Sequence, residues 1–196
     1  MSLVTHLSEK PLEYRGPELR PHFLLERFGL RGSAIGAFIG PCRVETEHLV
    51  DWEDRLAQDR IEAREMVHFL GEFFGMRSLT EGVLIQRLFM AMAGEALQAE
   101  LAGKPQFKWR REGDDLYVSA EGRPERKLSV SIVTASPVSL LLHAGINVDP
   151  SGAPVPAIGL AELGIDSRAW AQRVLERFAA EWESLEWACT KVKPVM

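Results

Sequence analysis

The sequence contains few cysteines, no long apolar run and no excess of positive charge. Its two cysteines, Cys42 and Cys189, are far apart and belong to no spaced cluster of metal ligands. No stretch approaches the roughly 20 apolar residues that a membrane-spanning helix needs. The first residues also lack the charged start and the apolar core of a signal peptide. These absences predict a reduced, cytoplasmic protein that does not associate with a membrane.

The charge balance and the length exclude further classes. The chain of 196 residues has a formal net charge of -5, whereas proteins that bind nucleic acid broadly are basic, so we expect no nucleic-acid partner. One domain usually takes roughly 100–200 residues, which predicts a single domain over residues 1–196. Within it, residues 1–32 are rich in proline and charge, and we expect them to form an irregular segment that wraps the body.

The first half of the chain changes its hydrophobic period twice. Residues 34–39 form a short apolar run that ends at a Gly-Pro pair, which is typical of a buried strand. From about residue 51 to residue 75, apolar residues recur at helical spacing and predict a helix. A second helix is predicted to begin at Ser78, which forms a capping-box pattern with Glu81.

The second half begins with strands and ends with a helix. Strands are predicted at residues 116–118, 127–133 and 140–148, and the middle one alternates between polar odd-numbered and apolar even-numbered residues. Asp166 is placed to cap a final helix with an apolar stripe. Because helices and strands occur in separate runs, the sequence predicts an α+β fold with helices packed on one face of a mostly antiparallel sheet.

The residues best suited to catalysis or ligand binding lie where a hairpin joins the next strand. Asp114 and Asp115 are at the end of the hairpin, and Lys127 is on the polar face of the following strand. Two carboxylates could hold a divalent cation, and a lysine could lie beside a phosphate or carboxylate. An ordinary turn and a solvated strand contain the same residues, so these residues alone leave both interpretations open.

A second polar group lies between the first strand and the predicted helix. Its acids and histidine could hold a metal ion or act as general acid and base; they are Glu47, His48, Asp51, Glu53 and Asp54. Acids also collect at helix starts because the helix dipole favours negative charge there. Both interpretations explain the acids equally well.

Isolated residues complete the set of candidates. Arg87 on the second helix could reach an anionic ligand, and Cys42 could contact one, although no activating base is near it in the sequence. His143 lies mid-strand among leucines, either in the core or facing the same cavity as Lys127. Glu65 and His68 have the spacing of a di-iron helix, but the required second pair is absent, so both are predicted to be surface residues.

The hairpin segment resembles biotin protein ligases, which carry a Lys-Trp-Pro-Asn-Asp-Leu stretch, a Lys-Leu-Ala-Gly-Ile strand and a Gly-Ile-Asn-Val strand. The counterparts here follow in the same order: Lys108-Trp109, Asp114-Asp115-Leu116, Arg126-Lys127-Leu128 and Gly145-Ile146-Asn147-Val148. The whole chain is more closely similar to the family called domain of unknown function 366, through residues 38–42, 48–54, 127–131 and 145–147. The resemblance implies the biotin/lipoate-ligase-like fold.

The resemblance also implies roles for individual residues. Lys127 matches the lysine beside the carboxylate and the α-phosphate during adenylate formation, where a fixed cation stabilises developing charge. Asp115, with Asp114 next to it, matches a position near Mg²⁺ and the ligand, and Asn147 matches a structural strand residue. The implied ligand is a small carboxylic or acyl acid, with ATP and Mg²⁺ as cofactors. The fold analogy further suggests a homodimer through sheet edges.

The sequence departs from the ligases where they contact the ligand. It lacks the Gly-Arg-Gly-Arg-x-Gly loop of biotin ligases and the Arg-Arg-x-Ser-Gly-Gly segment of lipoate ligases. Ser129 and Ser131 replace small residues and are predicted to be hydrogen-bonding groups on the pocket floor. Three functions stay open: a ligase- or transferase-like enzyme, a non-catalytic small-molecule binding module, and a metal-assisted hydrolase centred on residues 48–54.

Overall fold

The computed structural model describes residues 3–76 and 78–195, in which eight strands and four α-helices are found. The strands are β1 (Val4–Leu7), β2 (Ala34–Val44), β3 (Ile61–Phe74), β4 (Phe107–Glu112), β5 (Asp115–Ala120), β6 (Arg126–Lys127), β7 (Ser129–Ala135) and β8 (Ser139–Asp149). The helices are α1 (Phe23–Phe28), α2 (Trp52–Leu56), α3 (Leu79–Leu101) and α4 (Ser167–Thr190), with a short helical turn at Thr46–His48. No described helix is long and apolar enough to cross a membrane.

The strands form a five-stranded and a three-stranded sheet. The larger sheet has the order β1-β2-β3-β8-β7 and the smaller sheet the order β4-β5-β6. Every neighbouring pair is antiparallel except β1 and β2, which are parallel. The prediction of an α+β fold with a mostly antiparallel sheet is therefore confirmed.

Each central strand of the larger sheet sends alternate residues to two separate cores. Even-numbered residues of β8, such as Leu142 and Ala144, join Phe69 of β3 in a core with α3 and α4. Residues on the opposite face of the sheet, such as Met66 and Leu70 of β3, pack with the N-terminal segment. The two long helices thus cover one face of the sheet, as predicted, and the N-terminal segment packs on the other face.

The prediction of a helix from residue 51 to residue 75 is wrong. Only Trp52–Leu56 are helical, and Ile61–Phe74 form the long central strand β3. Residues 66–73 of this strand are buried throughout. A strand that is buried on both faces is apolar almost without interruption, and such a run satisfies helical spacing as well as strand spacing.

Two further predictions need correction. The segment 1–32 is not wholly irregular, because β1 pairs with β2 at the sheet edge and Phe23–Phe28 form a helix. The predicted strand 127–133 is divided at Leu128, whose N–H donates to the carbonyl of Leu116 in the smaller sheet and whose carbonyl accepts from Asn147 in the larger. The division gives β6 and β7 to different sheets.

The predicted starts of the two long helices are confirmed. At α3 the hydroxyl of Ser78 accepts from the N–H of Glu81, whose side chain accepts from the N–H of Ser78. At α4 the carboxylate of Asp166 accepts from the N–H of Ala169 at 2.7 Å. Both caps satisfy amides that a helix leaves without partners at its first turn.

Candidate functional site

A cavity of about 380 Å³ lies on the face of the larger sheet that α3 and α4 do not cover. Lys127 of β6 lines it together with residues of β7 and β8. The turn before β5 contributes Asp114 and Asp115, the segment before β3 contributes residues 49–51, 54 and 59–60, and a loop contributes residues 153–155. The cavity therefore joins both sheets at the point where the chain passes from one to the other.

An ion pair presents a lysine at this cavity. Nζ of Lys127 lies 2.9 Å from Oδ2 of Asp115, and about a third or less of either side chain is exposed (31% and 25%). The short strand β6 positions Lys127 by pairing it with Tyr117, whose hydroxyl donates to Asp115 at 3.4 Å. The side chain of Asn147 donates to the carbonyl of Lys127 at 3.3 Å. Asn147 lines the cavity, and its side-chain amide is engaged with the backbone of Lys127.

Asp114 is held by three side chains. Gln86 donates to its Oδ2 at 2.8 Å, and the hydroxyl of Ser131 donates to the same atom at 2.9 Å. Arg87 lies 3.2 Å from Oδ1. Both carboxylate oxygens are thus engaged, and the group ties α3 to the turn before β5 and to β7. This favours a positioning role for Asp114, and Arg87 contacts that carboxylate without lining the cavity.

Two predicted ligand contacts lie away from the cavity. Ser129 is fully buried, and its hydroxyl accepts from the N–H of Leu116 at 2.8 Å. Because the strand divides at Leu128, the hydroxyls of Ser129 and Ser131 bond to β5, α3 and the turn before β5. Val130 and Ile132 line the cavity with apolar side chains, and Ser131 also belongs to its lining. Cys42 is buried in β2, and burial raises the pKa of its thiol to about 12, so it is not a reactive thiolate.

The structure separates the polar group at residues 47–54. Asp51 caps α2, accepting from the N–H groups of Glu53 at 2.7 Å and Asp54 at 3.3 Å. His48 lies 3.6 Å from Glu47, and neither of these two lines the cavity, nor does Glu53. In the described part of the chain, no three or more His, Cys, Asp or Glu side chains are grouped to hold a metal ion. Only Asp51 and Asp54 reach the cavity.

The cavity has more acids than bases. Besides Asp114 and Asp115, its lining carries Asp51, Asp54, Asp59 and Glu62, against Arg60 and Lys127. Arg60 lies 3.3 Å from Glu62. Burial raises the pKa of the Asp54 carboxyl, repulsion by Asp51 and Asp59 adds to the increase, and the positive charge of Lys127 opposes it. The carboxyl group of Asp54 therefore interacts electrostatically with the ammonium group of Lys127.

Asp54→Asn is expected to raise the melting temperature slightly at neutral pH. Folding raises the pKa of Asp54, so the ionised carboxylate lowers the free energy of unfolding. This destabilisation is fully present above the folded-state pKa. It disappears as the pH falls below the unfolded-state pKa, where the carboxyl is protonated in both states. Thermal unfolding from neutral to acidic pH should show the variant's advantage shrinking to nothing. An advantage that grows towards acidic pH would contradict this account.

A pair of buried histidines lies under the same face of the sheet. Nδ1 of His68 is 3.1 Å from Nε2 of His143, and Nε2 of His68 is 3.3 Å from the carbonyl oxygen of Gly40. His143 lines the cavity, and the ring of Tyr14 stacks on it at 3.8 Å between centroids. The prediction that His68 is a surface residue is wrong because β3 buries it completely.

Several residues of this site were missed by sequence reasoning. Asp59, Arg60, Glu62 and Met66 line the cavity, but they fell inside the stretch predicted as one helix. A signal was present, because the apolar stripe makes a step of seven positions from Leu56 to Ala63, where its other steps are of three or four. That step is where α2 ends and β3 begins.

Comparison with known structures supports the fold and gives the family. The chain is similar to a protein of unknown function from Pyrococcus horikoshi, with 34% identity, a TM-score of 0.87 and 100% of each chain covered. It is similar in fold to the biotin protein ligase of Aquifex aeolicus in complex with biotin and ATP, with 16% identity and a TM-score of 0.51 over 91% of this chain and 68% of that one. The bi-partite lipoate protein ligase structure from Thermoplasma acidophilum gives 12% identity and a TM-score of 0.51 over 92% and 84%.

These likenesses confirm the predicted biotin/lipoate-ligase-like fold. The sequence pattern of DUF366, described as a domain of unknown function, matches residues 3–193. The match covers nearly the whole chain. The protein therefore belongs to the DUF366 family and has the fold of the biotin and lipoate protein ligases.

Proposed function

We propose that the cavity binds a small carboxylic acid and that the protein is a ligase- or transferase-like enzyme. The observation that carries the proposal is the ammonium group of Lys127, held at the cavity by Asp115 at 2.9 Å. The fold is that of ligases whose structures contain biotin with ATP, or belong to a lipoylation system. The coincidence of this fold with a lysine at its cavity favours an acid as the ligand.

The chemistry assigned to Lys127 follows from its surroundings. An ammonium group has three N–H donors, and the contact with Asp115 leaves others for a ligand carboxylate. In an adenylation, a carboxylate oxygen attacks the α-phosphorus of ATP and pyrophosphate leaves with the electrons of the broken P–O bond. A fixed cation stabilises the charge that builds up on the oxygens during such a step. Asp115 would orient Lys127, and Asn147 would hold its backbone in place.

The carboxylates that line the cavity could serve as ligands of a divalent cation. Mg²⁺ prefers oxygen ligands and is usually held by one or two protein carboxylates together with substrate phosphates. Asp54 and Asp59 line the cavity, and they are close enough for the charge of Asp59 to raise the pKa of Asp54. These two would hold the ion, which when bound would neutralise phosphate oxygens. Their mutual repulsion would decrease at the same time.

A second candidate function is a binding module without adenylation. The observation that favours it is the excess of carboxylates in the lining, which opposes a triphosphate unless a cation accompanies it. The sequence also lacks the glycine- and arginine-rich loop of biotin ligases. In such a module Lys127 would only neutralise a bound acid. The two candidates differ in whether ATP with Mg²⁺ binds.

Lys127→Ala is expected to weaken binding of the acid at least about tenfold, which corresponds to about 1.4 kcal/mol. A thermal-shift series with biotin, lipoate and octanoate, each with and without ATP and Mg²⁺, measures this. The matched control is Lys108→Ala, which removes an exposed lysine from β4 of the same small sheet. The exposed part of the Lys127 ion pair limits its contribution to stability to about 1 kcal/mol, so the variant should fold.

Each outcome of this series has a distinct meaning. A shift that needs an acid, increases with ATP and Mg²⁺ and is lost only in Lys127→Ala supports the enzyme, and acid-dependent exchange of pyrophosphate into ATP would then be expected. A shift with an acid that ATP leaves unchanged favours the binding module. If the acids shift Lys127→Ala as much as the wild type, or shift neither, the proposal fails.

A further inference from the structure

The histidine pair has a hydrogen-bond direction that its surroundings determine. The carbonyl oxygen of Gly40 can only accept, so Nε2 of His68 carries the proton that is donated to it. His68 is neutral because burial lowers its pKa to about 3. Its Nδ1 is then an acceptor, and Nε2 of His143 must donate to it across 3.1 Å.

The second ring of the pair is also neutral, which leaves one nitrogen available. Burial lowers the pKa of His143 well below its ordinary value, and the neighbouring His68 lowers it further. With its proton on Nε2, His143 has an unprotonated Nδ1 that can only accept. Among residues 3–76 and 78–195, none hydrogen-bonds to this atom, although the side chain is only 2% exposed and lines the cavity.

An acceptor of this kind requires a donor. This nitrogen is not sealed in the core, because Nε1 of Trp170 is the only fully buried side-chain nitrogen or oxygen without a partner in the described part of the chain. The surrounding lining on this face, Met66 and Val130, is apolar and supplies no donor. Gly145 lies two residues along β8 from His143, and Met66 and Val130 pack so closely on it that an added Cβ would lie 2.7 Å and 3.1 Å from their side chains. A donor to Nδ1 must then come from the cavity, either from water or from a bound ligand that replaces the water.

The spacing of His143 and Asn147 along β8 indicates how far Nδ1 of His143 lies from Lys127. Asn147 hydrogen-bonds to the backbone of Lys127, and it is four residues from His143 on the same face of the strand. At about 3.3 Å per residue, the two positions are about 13 Å apart. A ligand that reaches both groups is an elongated acid with its carboxylate at one end.

We propose that His143 is a specificity-determining residue that accepts a hydrogen bond from an N–H or O–H group at the far end of the acid. The inference rests on the proposed function, because Lys127 is taken to hold the carboxylate. The ligand class is then a carboxylic acid with a hydroxyl, amide or urea-type donor remote from the carboxylate. His68 is a positioning residue that keeps the proton on Nε2 of its partner.

The test compares ligands that differ only in the donor. Straight-chain ω-hydroxy acids and ω-methoxy acids of equal chain length are titrated into the full chain, across a series of lengths. At the best length, the hydroxy acid is expected to bind about tenfold more tightly, since the methoxy acid has the same oxygen but no hydrogen to donate. In His143→Phe, which keeps a ring of similar shape, the preference should disappear. In Lys127→Ala both acids should weaken together.

A spectroscopic measurement does not depend on the variants folding. Nitrogen-15 NMR of histidine-labelled protein distinguishes the two neutral tautomers. Both buried histidines are expected to carry their proton on Nε2, and the Nδ1 signal of His143 should shift when the hydroxy acid binds but not when the methoxy acid does. A proton on Nδ1 of His143 would overturn the inference.

The outcomes separate this inference from the proposed function. If acids bind through Lys127 but the hydroxy and methoxy acids bind equally at every length, the role of His143 is rejected and the proposed function stands. If no acid of either series binds the wild type, both are rejected. A preference for the hydroxy acid that persists in His143→Phe would place the donor elsewhere in the cavity and reject the role of His143.

Discussion

Glu72→Ala is expected to lower the free energy of unfolding by about 2–4 kcal/mol, because it leaves buried donors without acceptors. Glu72 lies in β3 and is only 3% exposed. Both of its carboxylate oxygens accept from the backbone N–H of His22 at 3.0 Å, and Oε1 also accepts from the hydroxyl of Ser139 at 2.8 Å. One side chain thus connects the start of α1 to two central strands.

The loss should come chiefly from the backbone amide. The hydroxyl of Ser139 can turn to Ser136, whose Oγ is 3.0 Å away, but the N–H of His22 has no acceptor other than Glu72 in the described part of the chain. His22 also has a φ of 64°, a left-handed conformation that a residue with a side chain adopts rarely and that its surroundings must stabilise. Without the carboxylate, the N-terminal segment loses a fixed point on the sheet.

Chemical unfolding with two control variants measures this effect. Glu65→Ala removes an exposed carboxylate from the same strand, and we expect it to change the free energy of unfolding by about 0.5 kcal/mol or less. Glu72→Gln keeps one carbonyl oxygen as an acceptor and should cost less than the alanine variant. Equal effects of Glu72→Ala and Glu65→Ala would contradict the role given to the buried carboxylate.

The elements that could be predicted from the sequence are those with local signals. The capping box at Ser78 and the cap at Asp166 are local hydrogen-bonding patterns, and both begin helices where expected. The strand β3 has no such signal. Two of its side chains, His68 and Glu72, are polar yet buried in the fold, because partners in other segments of the chain satisfy them. That pairing depends on tertiary contacts that no local pattern contains.

The candidate site shows the same limit. Lys127 and Asp115 were singled out by motif, and the structure brings them together at the cavity. The orientation of Ser129 and Ser131 was not predictable, because it depends on the division of one apparent strand at Leu128 between two sheets. A shift of one residue along a strand places every later side chain on the opposite face of the sheet. The histidine pair likewise requires the register of β3 against β8.

Gly40→Ala is expected to cost about 3 kcal/mol and to weaken the site as well, because a side chain there collides with backbone. A Cβ at this position would lie 2.2 Å from the carbonyl oxygen and 2.8 Å from the carbonyl carbon of Leu12. Leu12 is itself bound to β2, its N–H donating to Ile39 at 3.3 Å. The N-terminal segment can escape the collision only by giving up such bonds.

The position of Gly40 also connects stability to the site. Its carbonyl oxygen accepts from His68, which in turn determines the proton position on His143. If this carbonyl is displaced, the protons of His68 and His143 are no longer fixed on Nε2. We therefore expect Gly40→Ala to lose part of the preference for ω-hydroxy over ω-methoxy acids.

The matched control for this variant is Gly36→Ala on the same strand. Its added Cβ would lie 2.9 Å from the flexible end of Leu24 and at an ordinary contact distance of 3.6 Å from the ring of Phe28, so the expected loss of stability is smaller and the ligand preference should be unchanged. Chemical unfolding and the two acid titrations measure both quantities. If Gly40→Ala is as stable as Gly36→Ala, the close approach of Leu12 is not rigid. If it is unstable but keeps the full preference for the hydroxy acid, the carbonyl of Gly40 does not control the histidine pair.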